Sequence, residues 1–248
     1  SATLFFAVMD GVSRYLAETY NVMIINMIRA WVLVFLVILI SMRKGKGVQK
    51  VAKSGNYYLQ IIRGTILISC VCIGVYSFTI LGLVTSHCII SCYPLVVITL
   101  SGPFLNEKIG WRRWVAVFIG FAGVIIIINP LSFNFDLNLL WPISLSFLLA
   151  IYTILTRKVS SSDSSETSFF WVAIMGCFVM TFIGPFFWET IFFKDLGYLI
   201  LLCILSTCGH FLLIKALETA QASILQPFTY FQLLFASIIG ILIFNDKI

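Results

Sequence analysis

About nine apolar stretches of some 20 residues each run through this chain with only short polar breaks between them. A stretch of that length spans the roughly 30 Å hydrocarbon core of a bilayer as a helix. Windows of about 19 residues place helices near 1–17, 22–42, 60–81, 86–105 and 111–129, then 138–157, 167–188, 197–216 and 222–244. The predicted fold is all-α, a polytopic membrane helix bundle. Composition agrees: 60% of the 248 residues are hydrophobic and 10% charged, against roughly 25% charged in a soluble domain. No separate soluble domain fits in the connections.

A four-residue phrase occurs twice, Asn106-Glu107-Lys108-Ile109 and Asn245-Asp246-Lys247-Ile248, each time just after a long apolar segment. Further correspondences accompany it. Ala7 to Arg14 resembles Ala150 to Arg157, Gly74-Val75-Tyr76 can be laid on Cys208-Gly209-His210, and Pro94 and Pro227 then occupy similar places in the fourth and ninth helices. The expected organisation is a first five-helix repeat over 1–129, a linker near 129–137 that turns at Pro130, and a second repeat over 138–248 with four spans visible and a tenth missing. Both ends read as cut, the first helix being clipped. An odd number of crossings per repeat turns the second copy upside down relative to the first, and inverted repeats are a mark of secondary transporters.

The charges are sorted by side. Arg43, Lys44, Lys46, Lys50 and Lys53 share one loop, Lys108, Arg112 and Arg113 a second, Arg157 and Lys158 a third, and Lys215 falls in a fourth. If spans alternate, these lie on one face, and Lys194 and Lys247 on the other. That excess marks the cytoplasmic face, so loops 43–58, 106–113 and 157–167 are expected there. The net charge of +6 then needs no nucleic acid, for which a soluble basic surface is required. All seven cysteines lie in apolar segments and imply no disulfide framework. Cys88 and Cys92 share a helical face without further metal-ligating partners, so no metal site is expected.

Ionisable and polar residues at membrane depth are costly and tend to face the interior, which makes them the site candidates. Asp10 and Arg14 are four apart on the first helix and can pair, either as a structural pair or with Asp10 as a proton-titrating coupling site. Arg29 has no acid at helical spacing; it either binds an anionic group of a cargo or satisfies carbonyls of another helix. His87 reads as interfacial. His210 and its counterpart Tyr76 would face each other near the midplane, and Tyr152, Gln226, Tyr230 and Gln232 add donors and acceptors, Gln226 and Tyr230 on one face. Pro94 and Pro227 each free a carbonyl four residues earlier, those of Ile90 and Ser223, marking a pathway, a hinge or a packed kink. The small-residue pairs Cys70 and Gly74, Ala116 and Gly120, and Ala236 and Gly240 allow close helix approach.

The run from Pro94-Leu95 to Leu105-Asn106-Glu107-Lys108, with Gly110-Trp111-Arg112-Arg113-Trp114 and Gly120-Phe121-Ala122-Gly123-Val124, resembles the end of the first repeat in the drug/metabolite transporter superfamily, in its ten-helix EamA branch. The stretch from Ala222-Ser223 through Gln226-Pro227-Phe228-Thr229-Tyr230-Phe231-Gln232 to Asn245-Asp246 is similar to the corresponding part of a bacterial subgroup, and Asp10, Arg14, Arg29 and Arg63-Gly64 sit where that pattern expects them. The resemblance implies a multi-pass inner-membrane carrier working by alternating access on a small metabolite, such as an amino acid, a vitamin or a nucleoside-like compound. Its expected partners are the bilayer, the cargo and a coupling proton, with a homodimer left open, and no cofactor. No G-x-x-x-x-G-K-[ST] sequence couples it to ATP. The alternatives are a membrane-embedded lipid-modifying enzyme, for which the chain offers neither H-E-x-x-H nor G-x-S-x-G, and a non-transporting scaffold.

Overall fold

The computed structural model describes residues 2–43, 47–107, 109–112, 114, 115, 118, 119, 122 and 136–246. Most of the expected fifth span, near 111–129, lies outside the described residues, as do Lys108 and nearly all of the 129–137 linker, and so does the small-residue pair of Ala116 and Gly120. The described elements are α1 (Ala2–Ala17), α2 (Val22–Arg43), α3 (Val48–Ala52), α4 (Tyr57–Leu81), α5 (Leu83–Ile90), α6 (Tyr93–Leu105), α7 (Leu140–Val159), α8 (Ser165–Ile183), α9 (Leu196–Thr219) and α10 (Ala222–Phe244), with short 3-10 turns before α7, after α8 and before α9. Among the described residues there is no strand. Within the described residues seven spans are long and apolar enough to cross a membrane, α5 and α6 together making one of them; α1, at 16 residues, is a shorter apolar helix beside them.

Helix starts follow capping chemistry. The Asn56 side chain accepts from the Leu59 N–H at 3.1 Å to open α4, and the Ser164 hydroxyl accepts from the Thr167 N–H at 3.3 Å to open α8. The expected helix over 86–105 is corrected: α5 begins earlier, at Leu83, the chain breaks after Ile90, and α6 restarts at Tyr93. Pro94 stands in the first turn of α6, where a missing N–H leaves no bond unmade, so it kinks no running helix. Pro227 lies inside the continuous α10, as expected.

Packing centres on two groups of long helices. α1 lies against α9 and α10, while α4 lies against α7 and α8, and α2 runs along α8. Phe6, Met9, Leu16, Ile24, Met27, Met180 and Leu202 fuse α1, α2, α8 and α9 into one apolar cluster. Large apolar side chains such as Phe35, Phe182 and Leu242 point outward, the arrangement a lipid solvent permits.

One end of the bundle is tied by a polar network. Asp163, in the loop between α7 and α8, accepts from the Ser54 hydroxyl, from the Gly55 N–H at 2.7 Å and from Gln60 Nε2 at 2.7 Å. Arg63, fully buried, donates to Gln60 Oε1 at 2.7 Å, to the Ser168 carbonyl and to Thr156 Oγ1 at 3.3 Å. Burial works to raise the Asp163 carboxyl, but the hydrogen bonds from Ser54, Gly55 and Gln60 outweigh it and hold its pKa below the ordinary value. The loop before α4 and the loop before α8 thus share one end, as alternation of the spans requires.

Candidate functional site

Midway along the bundle a cavity of about 160 Å³ opens between α1, α4, α5, α7, α9 and α10. Its floor is apolar, with Phe6, Phe78, Leu145 and Leu149 on the wall, and a few polar groups converge on it. Asp10, brought in by the buried face of α1, accepts a hydrogen bond from Gln232 Nε2 of α10 at 2.9 Å. His87 Nε2 of α5 lies 3.1 Å from the same Asp10 oxygen, without the straight alignment of a full hydrogen bond. The His87 ring stacks on Phe78, centroids 5.1 Å apart and 16° between planes, which fixes its edge toward Asp10.

On the α2 side, Arg29 is buried and its Nε donates to Ser206 Oγ of α9 at 2.8 Å. Its guanidinium lines the central cavity and also a smaller one toward α8. His210 borders both as well, its ring edge-on to Phe6 at 5.1 Å. Its Nδ1 is buried without a hydrogen-bond partner among the described residues. Among the described residues no three His, Cys, Asp or Glu side chains converge as metal ligands.

Of the residues picked out in the sequence, Asp10, Arg29, Pro94, Tyr152, His210 and Tyr230 border this cavity. Four do not. Tyr76 is 43% exposed and packs edge-on against Trp141 at 5.1 Å on the bundle exterior; its neighbours Gly74 and Val75 face the cavity instead, a rotation of roughly 100° per residue that the alignment to His210 missed. Gln226 is buried but spends Nε2 on the Ala222 carbonyl of its own helix at 2.9 Å. Pro227 faces outward. Arg14 bonds neither cavity nor Asp10: its Nη1 grips both carboxylate oxygens of Asp246, at 2.8 and 2.7 Å, and its guanidinium covers the Phe244 ring at 4.2 Å.

One central residue departs from expectation. His87 is buried rather than interfacial, because α5 starts three residues earlier than expected. Gln232, set apart from the face of Gln226 and Tyr230, is the residue that reaches Asp10. A signal for Asp246 and Glu107 was present in the repeated phrase, but not the reason for it. Asn106 and Asn245 both take the left-handed conformation, φ 55° and 54°, ending α6 and α10. The next N–H in each case returns to a carbonyl six residues back, Glu107 to Ser101 at 3.3 Å and Asp246 to Gly240 at 3.0 Å. Each acid is thereby aimed at the start of another helix. Asp246 accepts from the Leu83 N–H at 2.8 Å and the Val84 N–H at 3.3 Å, opening α5. Glu107 accepts from the Ala222 N–H at 3.1 Å and the Ser223 N–H at 3.3 Å, opening α10. Carboxylates at helix N-termini satisfy orphan donors and the helix dipole together.

The sequence pattern of the EamA-like transporter family matches residues 1–129 and again 137–248. The chain is 29% identical over 197 residues to a protein named S-adenosylmethionine uptake transporter in Rickettsia bellii, a match covering 78% of this chain and 67% of that protein. A Rickettsia prowazekii protein of the same name is 27% identical, with 78% of this chain and 66% of its own length covered. The chain thus spans about two thirds of the length of these relatives. A protein named Riboflavin transporter in Vibrio cholerae is 23% identical over 254 residues, covering 99% of this chain and 83% of that protein. Together with the seven spans, these likenesses mark a multi-pass bacterial membrane protein. The family pattern covers all but a few residues of the sequence, and the chain therefore belongs to the EamA-like transporter family.

Proposed function

We propose that this chain forms the membrane bundle of a secondary carrier that moves a small metabolite by alternating access between two inverted repeats, 1–129 and 138–248. The observation that carries this reading is the central cavity, where Asp10, Arg29, His87, His210 and Gln232 meet at mid-depth in an otherwise apolar bundle. Ionisable groups at that depth are retained where cargo or protons pass. Asp10 is the coupling group: its oxygen is shared by Gln232 and His87, so a proton can reside on the carboxylate or on the imidazole beside it. Arg29, tethered among the described residues through Nε, offers its outer nitrogens to an anionic part of the cargo.

Relatives named for S-adenosylmethionine and riboflavin support a ring-bearing metabolite as cargo. The cavity of about 160 Å³ is smaller than the roughly 300–1,000 Å³ typical of sites enclosing such ligands, so loading requires the helices to part. Uptake into vesicles carrying the full-length protein tests both assignments. Asp10→Asn is expected to leave uptake that no longer varies with external pH, and Arg29→Ala to weaken substrate affinity at least roughly tenfold. Unchanged pH dependence removes the coupling role, and unchanged affinity the cargo contact.

A further inference from the structure

The two ends of the bundle carry the same parts arranged differently. On one, the left-handed Asn245 aims Asp246 at the start of α5, and Arg14 of α1 closes on that acid through both carboxylate oxygens. The Arg14 guanidinium is further covered by Phe244, and Gly240 brings α10 so near α5 that a Cβ there would stand 2.9 Å from Asp246 Oδ2 and 3.0 Å from Val84 Cγ2. That end is shut. On the other end, the left-handed Asn106 aims Glu107 at the start of α10 in the same way, and the residue in the place of Arg14 is Arg157 of α7. Arg157 makes no ion pair among the described residues. Its Nη1 donates to the Leu217 and Glu218 carbonyls at 2.9 and 3.1 Å, and a polar cavity of about 690 Å³, bordered by both Glu107 and Arg157, opens there.

We propose that Arg14 with Asp246 and Arg157 with Glu107 are exchanging latches, one closed while the other is open, and that the structure is the state closed at the Asp246 end. The proposal rests on the carrier reading above for its purpose, but its physical content is local. The exchange has each arginine alternate between an acid fixed at a helix N-terminus and carbonyls at a helix C-terminus, both favourable to a cation or its counterpart. Arg157 occupies the second, beside the C-terminal turn of α9. Moving it to Glu107 would draw α7 toward the α6 end and close the open cavity, while release of Arg14 would let α1 part from α10. A bundle with two such latches is bistable, because each holds a different pair of helix ends.

The test is the reach of a membrane-impermeant maleimide to a thiol introduced by Ser13→Cys, a buried position beside Arg14 on the cavity wall, in sealed vesicles of both orientations. Labelling of the protein without that change is subtracted for its own cysteines. From the Asp246 face the introduced thiol is expected to be protected. Adding Asp246→Asn, which keeps an oxygen for the α5 start but removes the charge, should raise labelling from that face roughly tenfold. Adding Glu107→Gln should lower it or leave it at its floor. The latch is overturned if Asp246→Asn leaves labelling unchanged, or if both acid substitutions raise it equally, which is loosening and not exchange. Substrate counterflow measured on the same vesicles separates the two readings: counterflow with static labelling removes the latch alone, and shifting labelling without counterflow removes the carrier alone.

Discussion

Gly82 shows how much one residue can decide in this bundle. Its φ of 79° lies in the left-handed region, and a Cβ there would fall 3.0 Å from both oxygens of Asp246. Only glycine lets the chain turn from α4 into α5 and bring the α5 N–H groups onto that carboxylate. Gly82→Ala is expected to lower the melting temperature by roughly 2–6 °C, from the cost of about 1–2 kcal/mol for a side chain in that conformation. Gly197→Ala, where a Cβ meets open space, should leave it unchanged; equal shifts for the two in a thermal melt would refute the role given to Gly82. At this scale the sequence was half legible. Asp10, Arg29, His210 and Gln232 were visible as polar residues at depth, whereas the burial of His87 was not, since a shift of a few residues at a helix start moves a side chain from interface to cavity.

At the scale of elements, connections carry as much information as helices. The loop before α4 and the loop before α8 are held by Asp163, whose carboxyl the Ser54, Gly55 and Gln60 donors keep below the ordinary value of 3.8 despite its burial. A carboxyl with a depressed folded pKa contributes stability that is fully present above the unfolded value and is lost as pH falls through the lower, folded one. Protection of residues 48–60 from hydrogen exchange, taken against the intrinsic rate at each pH, is therefore expected to be high at neutral pH and to fall only in strong acid. Asp163→Asn should lower it at neutral pH too; identical protection in the two proteins would show that the carboxylate is not the tie. The break between α5 and α6 was only half legible in the sequence, where Pro94 marked a hinge or packed kink without fixing where the helix stops. Its place is read only in three dimensions, where Ser91 turns its hydroxyl onto the His87 carbonyl at 2.6 Å and Ser146 of α7 reaches the Ile89 carbonyl at 3.3 Å.

For the whole molecule, alternation of spans makes a sidedness prediction. Reporters placed at residues 50 and 160 should report the same side, the cytoplasm by the excess of basic residues, and one at 190 the opposite side. A split result for 50 and 160 would contradict both the charge argument and the contacts through Asp163. What the sequence determined by itself was the class of fold, since helices are the answer lipid imposes on long apolar segments, and the doubling of the Asn-acid-Lys-Ile phrase. Only the tertiary structure decided what that phrase does. A left-handed turn and a carboxylate are local facts, but the helix starts they cap, Leu83 and Ala222, and the Arg14 side chain that closes on Asp246 lie more than a hundred residues from their acids. Pairings at that separation depend on how helices stack in three dimensions, which periodicity along a single chain does not encode.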